Sequence, residues 1–326
     1  MMNTSVMKKP FCILTHSLPK EWLESLEGRV DLLIGPTEPP GLAPQLMDRL
    51  YEADGLLTIL IDRVDDELLA KAPRLKVVSN MAVGVDNIDL AACNKRGILV
   101  GNTPDVLTEG TADLTMAILL STARKLPQAS QDAREGLWKT WSPTGWLGAD
   151  LTGATLGIIG LGKIGKAVAK RAKGFGMRLV YTDSIRQLDQ ESLLNITYLS
   201  MDELLANSDF VTIHCPLLPE TRGFLNESAM RKMKRTAILI NAARGPIVDT
   251  PALLRALREG WITAAALDVT DPEPLPASHP LYSLTNCLIV PHIGSATYGT
   301  RQKMCELACA NLLAGVEGRS LVHQIK

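Results

Sequence analysis

Aromatic residues make up only 4% of this sequence. No apolar run in it reaches the roughly 18 to 20 residues that span a bilayer, so no membrane helix is expected. The opening "MMNTSVMKKPFCILTHS" carries two lysines but an apolar run too short for a signal peptide, which points to a cytoplasmic protein. An excess of charge is lacking too: 34 basic side chains face 35 acidic ones. Such a balance sets up no field to recruit nucleic acid or an anionic membrane, and a charged ligand has to be captured by a few placed residues. Paired cysteines are the third absence. Cys12, Cys93, Cys215, Cys287, Cys305 and Cys309 sit in apolar contexts without a C-x-x-C spacing, as small buried hydrophobes do. Cys305 and Cys309 share a helical face, but no histidine or second cysteine pair lies near them to complete four ligands, so neither a metal nor a disulfide is expected.

What the chain does have is length, apolar content and rhythm. At 326 residues, 46% of them hydrophobic, it suits two domains, each with its own core. Short apolar runs recur in the first hundred residues, "FCILTH", "DLLIG", "GLLTIL", "KVVSN" and "GILVGN", separated by segments with helical spacing such as Leu42, Leu46 and Leu50. A second series runs through "ATLGIIG", "RLVYTD", "DFVTIHC", "TAILINAA", "ITAAALDV" and "CLIVPH". Helical stretches such as "DTPALLRALREG" intervene and end on glycine. Two parallel-sheet α/β units in tandem follow from that alternation. Between them, "TEGTADLTMAILLSTARKL" predicts a long bridging helix with Thr108 as its N-cap and Leu114, Ile118 and Leu119 on its apolar face. The aperiodic stretch after it holds Trp138, Trp141 and Trp146, and tryptophans on a loop pack onto something, their own domain or a partner subunit.

The strongest local motif is "GIIGLGKIGKAVAKRAKGFGMRLVYTD". Gly160, Gly162 and Gly165 form G-x-G-x-x-G between an apolar strand and an amphipathic helix, the context a dinucleotide turn requires. Gly160 permits the tight turn, Gly162 lets the backbone approach a pyrophosphate at the helix N-terminus, and Gly165 allows close packing of helix on strand. Asp183 ends the next strand, where its carboxylate accepts from the adenosine ribose hydroxyls of NAD and repels the 2′-phosphate of NADP. NAD(H) is therefore the preferred cofactor. NADP(H) stays possible through Arg186, three positions on in "YTDSIRQ".

Three later segments each put a reactive side chain just past a strand. "NAARGPIVD" places Arg244, "ALDVTDPEPLP" places Asp268 and Glu273, and "IVPHIGSAT" places His292. Taken singly, each has an ordinary explanation as an ion pair, a solvated loop charge or a satisfied core group. Parallel strands, however, direct their carboxyl ends to one crevice, so the four converge beside a bound nicotinamide.

In order and spacing, "GLGKIG", "NAARGPIVD", "LDVTDPEPLP" and "PHIGSAT" resemble the D-isomer-specific 2-hydroxyacid dehydrogenase family over nearly the whole chain. The stretch from Ala266 to Thr297 and the tail "ANLLAGVEG" are most similar to its glyoxylate/hydroxypyruvate reductases. The resemblance implies two Rossmann-like or flavodoxin-like domains: a discontinuous substrate domain, 1–104 and 293–326, and a coenzyme domain inserted as 105–292. It implies NAD(P)H-dependent reduction of glyoxylate and hydroxypyruvate to glycolate and D-glycerate. His292 is then the acid, oriented and favoured in its charged form by Glu273. Arg244 grips the substrate carboxylate and carbonyl together, a task for its planar fork. The backbone amides of Val83 and Gly84 complete the carboxylate pocket. Leu60 and a partner's Trp146 bear on the choice among 2-oxo acids. Cofactor contacts fall to Gly160, Gly162, Lys163, Ile164, Gly165, Asp183, Pro216, Thr221, Ala243, Asp268 and Gly294, with Asp268 either orienting the nicotinamide carboxamide or acting structurally. A homodimer built around the coenzyme domains is implied as well. Phosphoglycerate dehydrogenases, and the dinucleotide-sensing corepressors that bind other proteins, share the motifs and remain alternatives. Formate dehydrogenases are disfavoured, because they typically carry glutamine where Glu273 stands.

Overall fold

The computed structural model describes residues 8–37 and 42–325. The chain folds as two compact units, Met1–Leu107 with Thr297–Lys326, and Thr108–Ala296. The first contains strands β1 (Phe11–Leu14), β2 (Asp31–Ile34), β3 (Gly55–Thr58), β4 (Val77–Asn80) and β5 (Leu99–Gly101). The second contains β6 (Thr155–Ile159), β7 (Arg178–Thr182), β8 (Ile196–Tyr198), β9 (Phe210–Ile213), β10 (Ile238–Asn241), β11 (Ala264–Leu267) and β12 (Cys287–Ile289). A last short strand, β13 (Gln324–Ile325), returns to the first unit.

In the first unit the sheet order is β13-β5-β4-β3-β1-β2, parallel except for β13, which runs antiparallel along β5. The second sheet runs β12-β11-β10-β9-β6-β7-β8 and is parallel throughout. Each sheet thus reverses direction once, between β1 and β3 in the first and between β6 and β9 in the second. The central strands β3, β4, β6, β9, β10 and β11 are buried along their whole length. That is why their sequences read as continuous apolar runs rather than alternating ones.

The discontinuity of the first unit has a packing cause. The helix Tyr298–Val316 lies so close to the first sheet that small residues are needed at the contact. A Cβ on Gly315 would meet the Val77 side chain at 2.4 Å, and one on Gly55 would meet Leu312 at 2.8 Å. Ser79 Oγ donates to the Ala308 carbonyl at 2.7 Å across the same surface. In the second unit, Arg171 of the helix Lys163–Gly174 ties the helix Thr108–Ala123 through Asp113 (2.7 Å) and Glu109 (2.7 Å).

Three expectations shift in detail. The unit boundaries lie at 107/108 and 296/297 rather than 104/105 and 292/293. Val106 and Leu107 pack on the first core, while Asp268 holds the 293–294 turn in the second unit. Thr108 is the first residue of its helix rather than its cap, a one-residue difference at an end. The long helix also stops at Ala123; Lys125 takes a left-handed conformation (φ 52°), and a second helix, Leu126–Arg134, follows with no buried residue. Strands β8 and β13 were not expected, being three and two residues long.

Candidate active site

Three neighbouring parallel strands bring the proposed chemistry to one edge of the second sheet. Asn241 of β10 lies opposite Leu267 of β11, which lies opposite Ile289 of β12. Arg244 and His292 each follow three residues after their strand, and Asp268 follows one residue after its own. Neighbouring strands sit about 4.8 Å apart, so the ends of β10 and β12, two strands apart, are separated by roughly 10 Å.

His292 is the best-defined member. Its Nδ1 lies 2.5 Å from Glu273 Oε1, and both side chains are partly open to solvent. That contact commits one ring nitrogen and leaves Nε2 as the nitrogen able to exchange a proton with a reactant. The backbone at His292 is left-handed, φ 51°, a conformation that costs energy outside glycine and concentrates at functional sites. Asp268 holds it there. Its oxygens accept from Ile293 N–H (2.6 Å) and Gly294 N–H (2.9 Å), and its carbonyl accepts from His292 N–H (2.9 Å). Burial pushes the Asp268 carboxyl above its ordinary value, while the Ile293 N–H and the charge of His292 pull it back. A Cβ on Gly294 would sit 3.0 Å from Asp268 Oδ2, so the turn closes best with glycine. Of the two roles considered for Asp268, the structure displays the structural one.

Arg244 opens the short turn Gly245–Ile247, and its Nη1 donates to the Ala243 carbonyl at 2.8 Å. Asn241, buried at the end of β10, fixes this turn from beneath. Its side chain donates to Arg244 O (2.9 Å) and accepts from Ala243 N–H (3.1 Å). Gly245 packs so tightly on the loop leading to Glu273 that a Cβ there would lie 1.9 Å from Thr270 O. The loops after β10 and β11 are therefore locked together by the absence of a side chain.

The glycine turn lies at the switch point of the same sheet. Gly160 has φ 93°, and a Cβ on it would meet Cys215 N at 2.6 Å, so β6 and β9 leave room only for glycine there. A Cβ on Gly165 would lie 2.2 Å from Gly160 O, which is how the helix Lys163–Gly174 comes down onto the turn. Gly162 differs from both. A Cβ on it meets nothing within 4 Å, so this glycine keeps a space open in front of a helix N-terminus, as a pyrophosphate requires. Lys163 begins that helix on the exposed side, and Ile164 packs against the core. Asp183 Oδ2 accepts from Leu161 N–H at 2.7 Å, placing a carboxylate against the glycine turn. In the loop after β9, the Thr221 hydroxyl donates to Pro216 O (2.7 Å) and accepts from Leu218 N–H (2.7 Å).

In the first unit, Val83 and Gly84 lie in the loop after β4. Three successive carbonyls there are held: Ala82 O by Thr103 N–H (2.9 Å), Val83 O by Asn102 Nδ2 (2.8 Å) and Gly84 O by Asn80 Nδ2 (3.0 Å). A peptide plane directs its N–H opposite to its carbonyl, so the N–H groups of Val83 and Gly84 turn away from these anchors. Asn80, Asn102 and Asn241 escaped sequence reasoning; the signal was an asparagine at the end of a buried strand, where an apolar residue or glycine would be ordinary. Trp146 donates its indole N–H to Asp132 of its own unit at 2.7 Å, whereas Trp138 and Trp141 are 66% and 80% exposed.

Comparison with known proteins adds an independent line. Residues 116–294 match the model of the D-isomer specific 2-hydroxyacid dehydrogenase, NAD binding domain. The chain is 45% identical over 320 residues to a glyoxylate reductase of Korarchaeum cryptofilum, covering 97% of this chain and 96% of that one. A Thermus thermophilus protein of known structure is 47% identical with a TM-score of 0.91, over 97% of this chain and all of the other. An NADPH-dependent glyoxylate/hydroxypyruvate reductase of Sinorhizobium meliloti, solved with NADP and malonate, is 31% identical with a TM-score of 0.85, over 98% of this chain and 97% of that one. With the glycine turn and the His292–Glu273 pair both lying past the carboxyl ends of strands in the second sheet, the chain belongs to the D-isomer specific 2-hydroxyacid dehydrogenase family and is an NAD(P)-dependent oxidoreductase.

Proposed function

We propose that the protein reduces small 2-oxo acids, glyoxylate and hydroxypyruvate foremost, to glycolate and D-glycerate, with NADH the better reductant and NADPH a weaker one. One observation carries this reading above the rest: the 2.5 Å contact between His292 Nδ1 and Glu273 Oε1. It supplies an oriented imidazole at the strand edge where Arg244 also emerges. The residues present fit the dinucleotide, because Gly162 keeps its space clear of any side chain and Asp183 stands where the ribose hydroxyls need an acceptor. Bound there, the nicotinamide supplies a hydride to the substrate carbonyl carbon.

The protein's own residues do the rest. His292 Nε2 gives its proton to the carbonyl oxygen as that oxygen gains charge, and takes one back in the reverse direction. Glu273 fixes the ring and balances the imidazolium. Arg244 grips the substrate carboxylate and carbonyl oxygen with its fork of donors, and the N–H groups of Val83 and Gly84 are assigned to the carboxylate. Asp268 keeps the His292 turn in its strained conformation, and its remaining lone pairs are available to the nicotinamide carboxamide. Lys163, Ile164, Pro216, Thr221, Ala243 and Gly294 line the cofactor's course in this reading. The first unit serves as the substrate domain and the second as the coenzyme domain of a cytoplasmic homodimer. The name borne by the Korarchaeum cryptofilum relative supports the substrate class. The test is a panel of 2-oxo acids on purified protein with NADH and NADPH. Turnover of glyoxylate or hydroxypyruvate is expected, and failure of every 2-oxo acid with both cofactors would overturn the reading.

A further inference from the structure

The loop between β7 and the helix Leu188–Leu194 carries both a carboxylate and a guanidinium, Asp183 and Arg186, and the structure treats them differently. Asp183 is turned towards the glycine turn. Its Oδ2 accepts from Leu161 N–H, while its Oδ1 accepts from Ser184 N–H (2.7 Å) and the Ser184 hydroxyl (3.2 Å). Gln187 fastens the far end of the loop to the same place, donating to Leu161 O (3.1 Å) and Asp183 Oδ2 (3.4 Å). Arg186 therefore stands on a loop held at both ends beside the adenosine ribose position, the place from which a guanidinium would reach a 2′-phosphate.

It is held elsewhere. Arg186 Nε donates to Glu191 Oε1 at 2.8 Å and Nη2 to Glu191 Oε2 at 2.9 Å, a two-pronged pair. Glu191 is itself anchored, because Oε1 also accepts from Tyr181 OH (3.0 Å), and that phenol oxygen accepts from Gln187 N–H (2.7 Å). Tyr181 is fully buried, and the Arg186 guanidinium lies 5.6 Å from the ring of Tyr198, which packs edge-on against Tyr181. A surface ion pair adds little to folding stability, so stability does not account for so many fixed partners. What the arrangement does is immobilise and neutralise Arg186.

We propose that Glu191 is a positioning residue that sets cofactor choice: by holding Arg186 in this pair it withholds the guanidinium from a 2′-phosphate, and so sharpens the discrimination begun by Asp183. The inference rests on the cofactor reading above and deepens it. A phosphorylated ribose has to break the Arg186–Glu191 pair before it gains a counter-ion, whereas an unphosphorylated ribose needs no counter-ion.

The test uses calorimetric titration of the whole protein with 2′,5′-ADP and with 5′-AMP, alongside the ratio of kcat/KM for NADPH and NADH. Glu191→Gln keeps an acceptor for Tyr181 OH but removes the charge. It is expected to tighten 2′,5′-ADP binding by about tenfold, the scale of one charge-assisted hydrogen bond, and to raise the NADPH/NADH ratio in step. Binding of 5′-AMP should move less than about twofold on the same scale. Adding Arg186→Ala to Glu191→Gln should cancel the gain. Arg186→Ala alone should barely alter 2′,5′-ADP affinity, since the guanidinium is already withheld. The proposal is overturned if Arg186→Ala alone weakens 2′,5′-ADP markedly, if Glu191→Gln binds 5′-AMP normally without gaining 2′,5′-ADP affinity, or if the gain survives loss of Arg186. A wild-type ratio favouring NADPH would sink the cofactor reading itself, and it is read separately from the change that Glu191→Gln produces.

Discussion

The two sheets pose the same question and answer it differently. Each has one reversal in the order of its parallel strands, and each therefore opens a crevice at that point, β1/β3 in the first and β6/β9 in the second. In the first, side chains fill it. After β1 comes "THS", and Thr15 Oγ1 donates to Asp62 Oδ2 at 2.5 Å while lying 2.9 Å from His16 Nδ1. Asp62 also accepts from Ile59 N–H at 2.8 Å, so a buried polar cluster occupies the place of a ligand. In the second, β6 runs into "GLGKIG", and the space before the helix is kept clear by Gly162. Topology supplies a crevice in both units; the residues of one turn decide whether it is plugged or open.

The largest expected effect tests where the chemistry lies. His292→Asn should lower the rate of 2-oxo acid reduction by at least about a hundredfold while NADH binding is largely kept. Near-normal turnover would remove the second sheet's far edge from the mechanism. Next, Gly162→Val makes the open turn resemble the plugged one. Because a Cβ at 162 meets nothing in the protein, and its φ of −71° and ψ of −165° suit valine, the variant should fold. Its isopropyl group then occupies the cradle, and NADH affinity measured by fluorescence titration should fall on the order of a hundredfold. Unaltered affinity would mean that the pyrophosphate does not pass this turn. Arg244→Lys keeps the charge but not the fork, and kcat/KM for glyoxylate should fall by roughly ten- to a hundredfold. Equal efficiency in the two proteins would place the carboxylate elsewhere.

The difference between the two turns was readable in the sequence, because glycine at 160, 162 and 165 announces a backbone that must approach something. The buried strands were readable too, since parallel interior strands are apolar on both faces. Short edge strands were not: "ITY" and "QI" carry no periodicity, and their pairing is imposed by neighbours distant in the chain. His292, Glu273 and Arg244 were legible as strand-end residues. Asp268 was legible in the same way, but not the backbone groups it holds, and Asn241 under the Arg244 turn and Asn80 and Asn102 under the Val83–Gly84 loop were hidden, because they act through backbone groups whose positions exist only after folding. Glu191 was hidden for the same reason, as an acidic residue on a short surface helix looks like any other until the arginine it holds is seen.

Both sheets also carry a histidine just past a strand, His16 buried and His214 half-buried, which gives a pH test of the comparison. His16 has Asp62 beside it, 3.8 Å away. His214, after β9, has only the Thr212 hydroxyl at 2.9 Å on Nε2, and its Nδ1 is shut off from solvent without a partner among the described residues. Burial pushes the His214 imidazole down to about 3 from an ordinary 6.5. A histidine depressed on folding contributes stability that is complete above the unfolded value and is lost as pH falls from 6.5 towards 3. His214→Gln keeps a partner for Thr212 without titrating, so its stability, measured by denaturant unfolding, should fall less between pH 7 and pH 5 than that of wild type. Identical pH dependence in the two proteins would show that His214 is not the titrating group.

The smallest effect concerns the ribose end. Asp183→Ser removes a negative charge that would sit within a few ångströms of a 2′-phosphate, and the NADPH/NADH efficiency ratio should rise about tenfold, the scale of one such repulsion in a partly desolvated groove. Part of that change comes from weaker use of NADH, because the Asp183 carboxylate also braces Leu161 N–H and the ribose loses its acceptor. The ratio should rise without inverting, since Arg186 stays tied to Glu191 in this variant. Inversion should need Glu191→Gln as well. The two changes should then combine to more than the product of their separate effects, as expected for groups that act on one phosphate through a shared arginine. Strictly multiplicative effects would mean that Asp183 and Glu191 act independently, and inversion by Asp183→Ser alone would mean that the carboxylate by itself sets the choice.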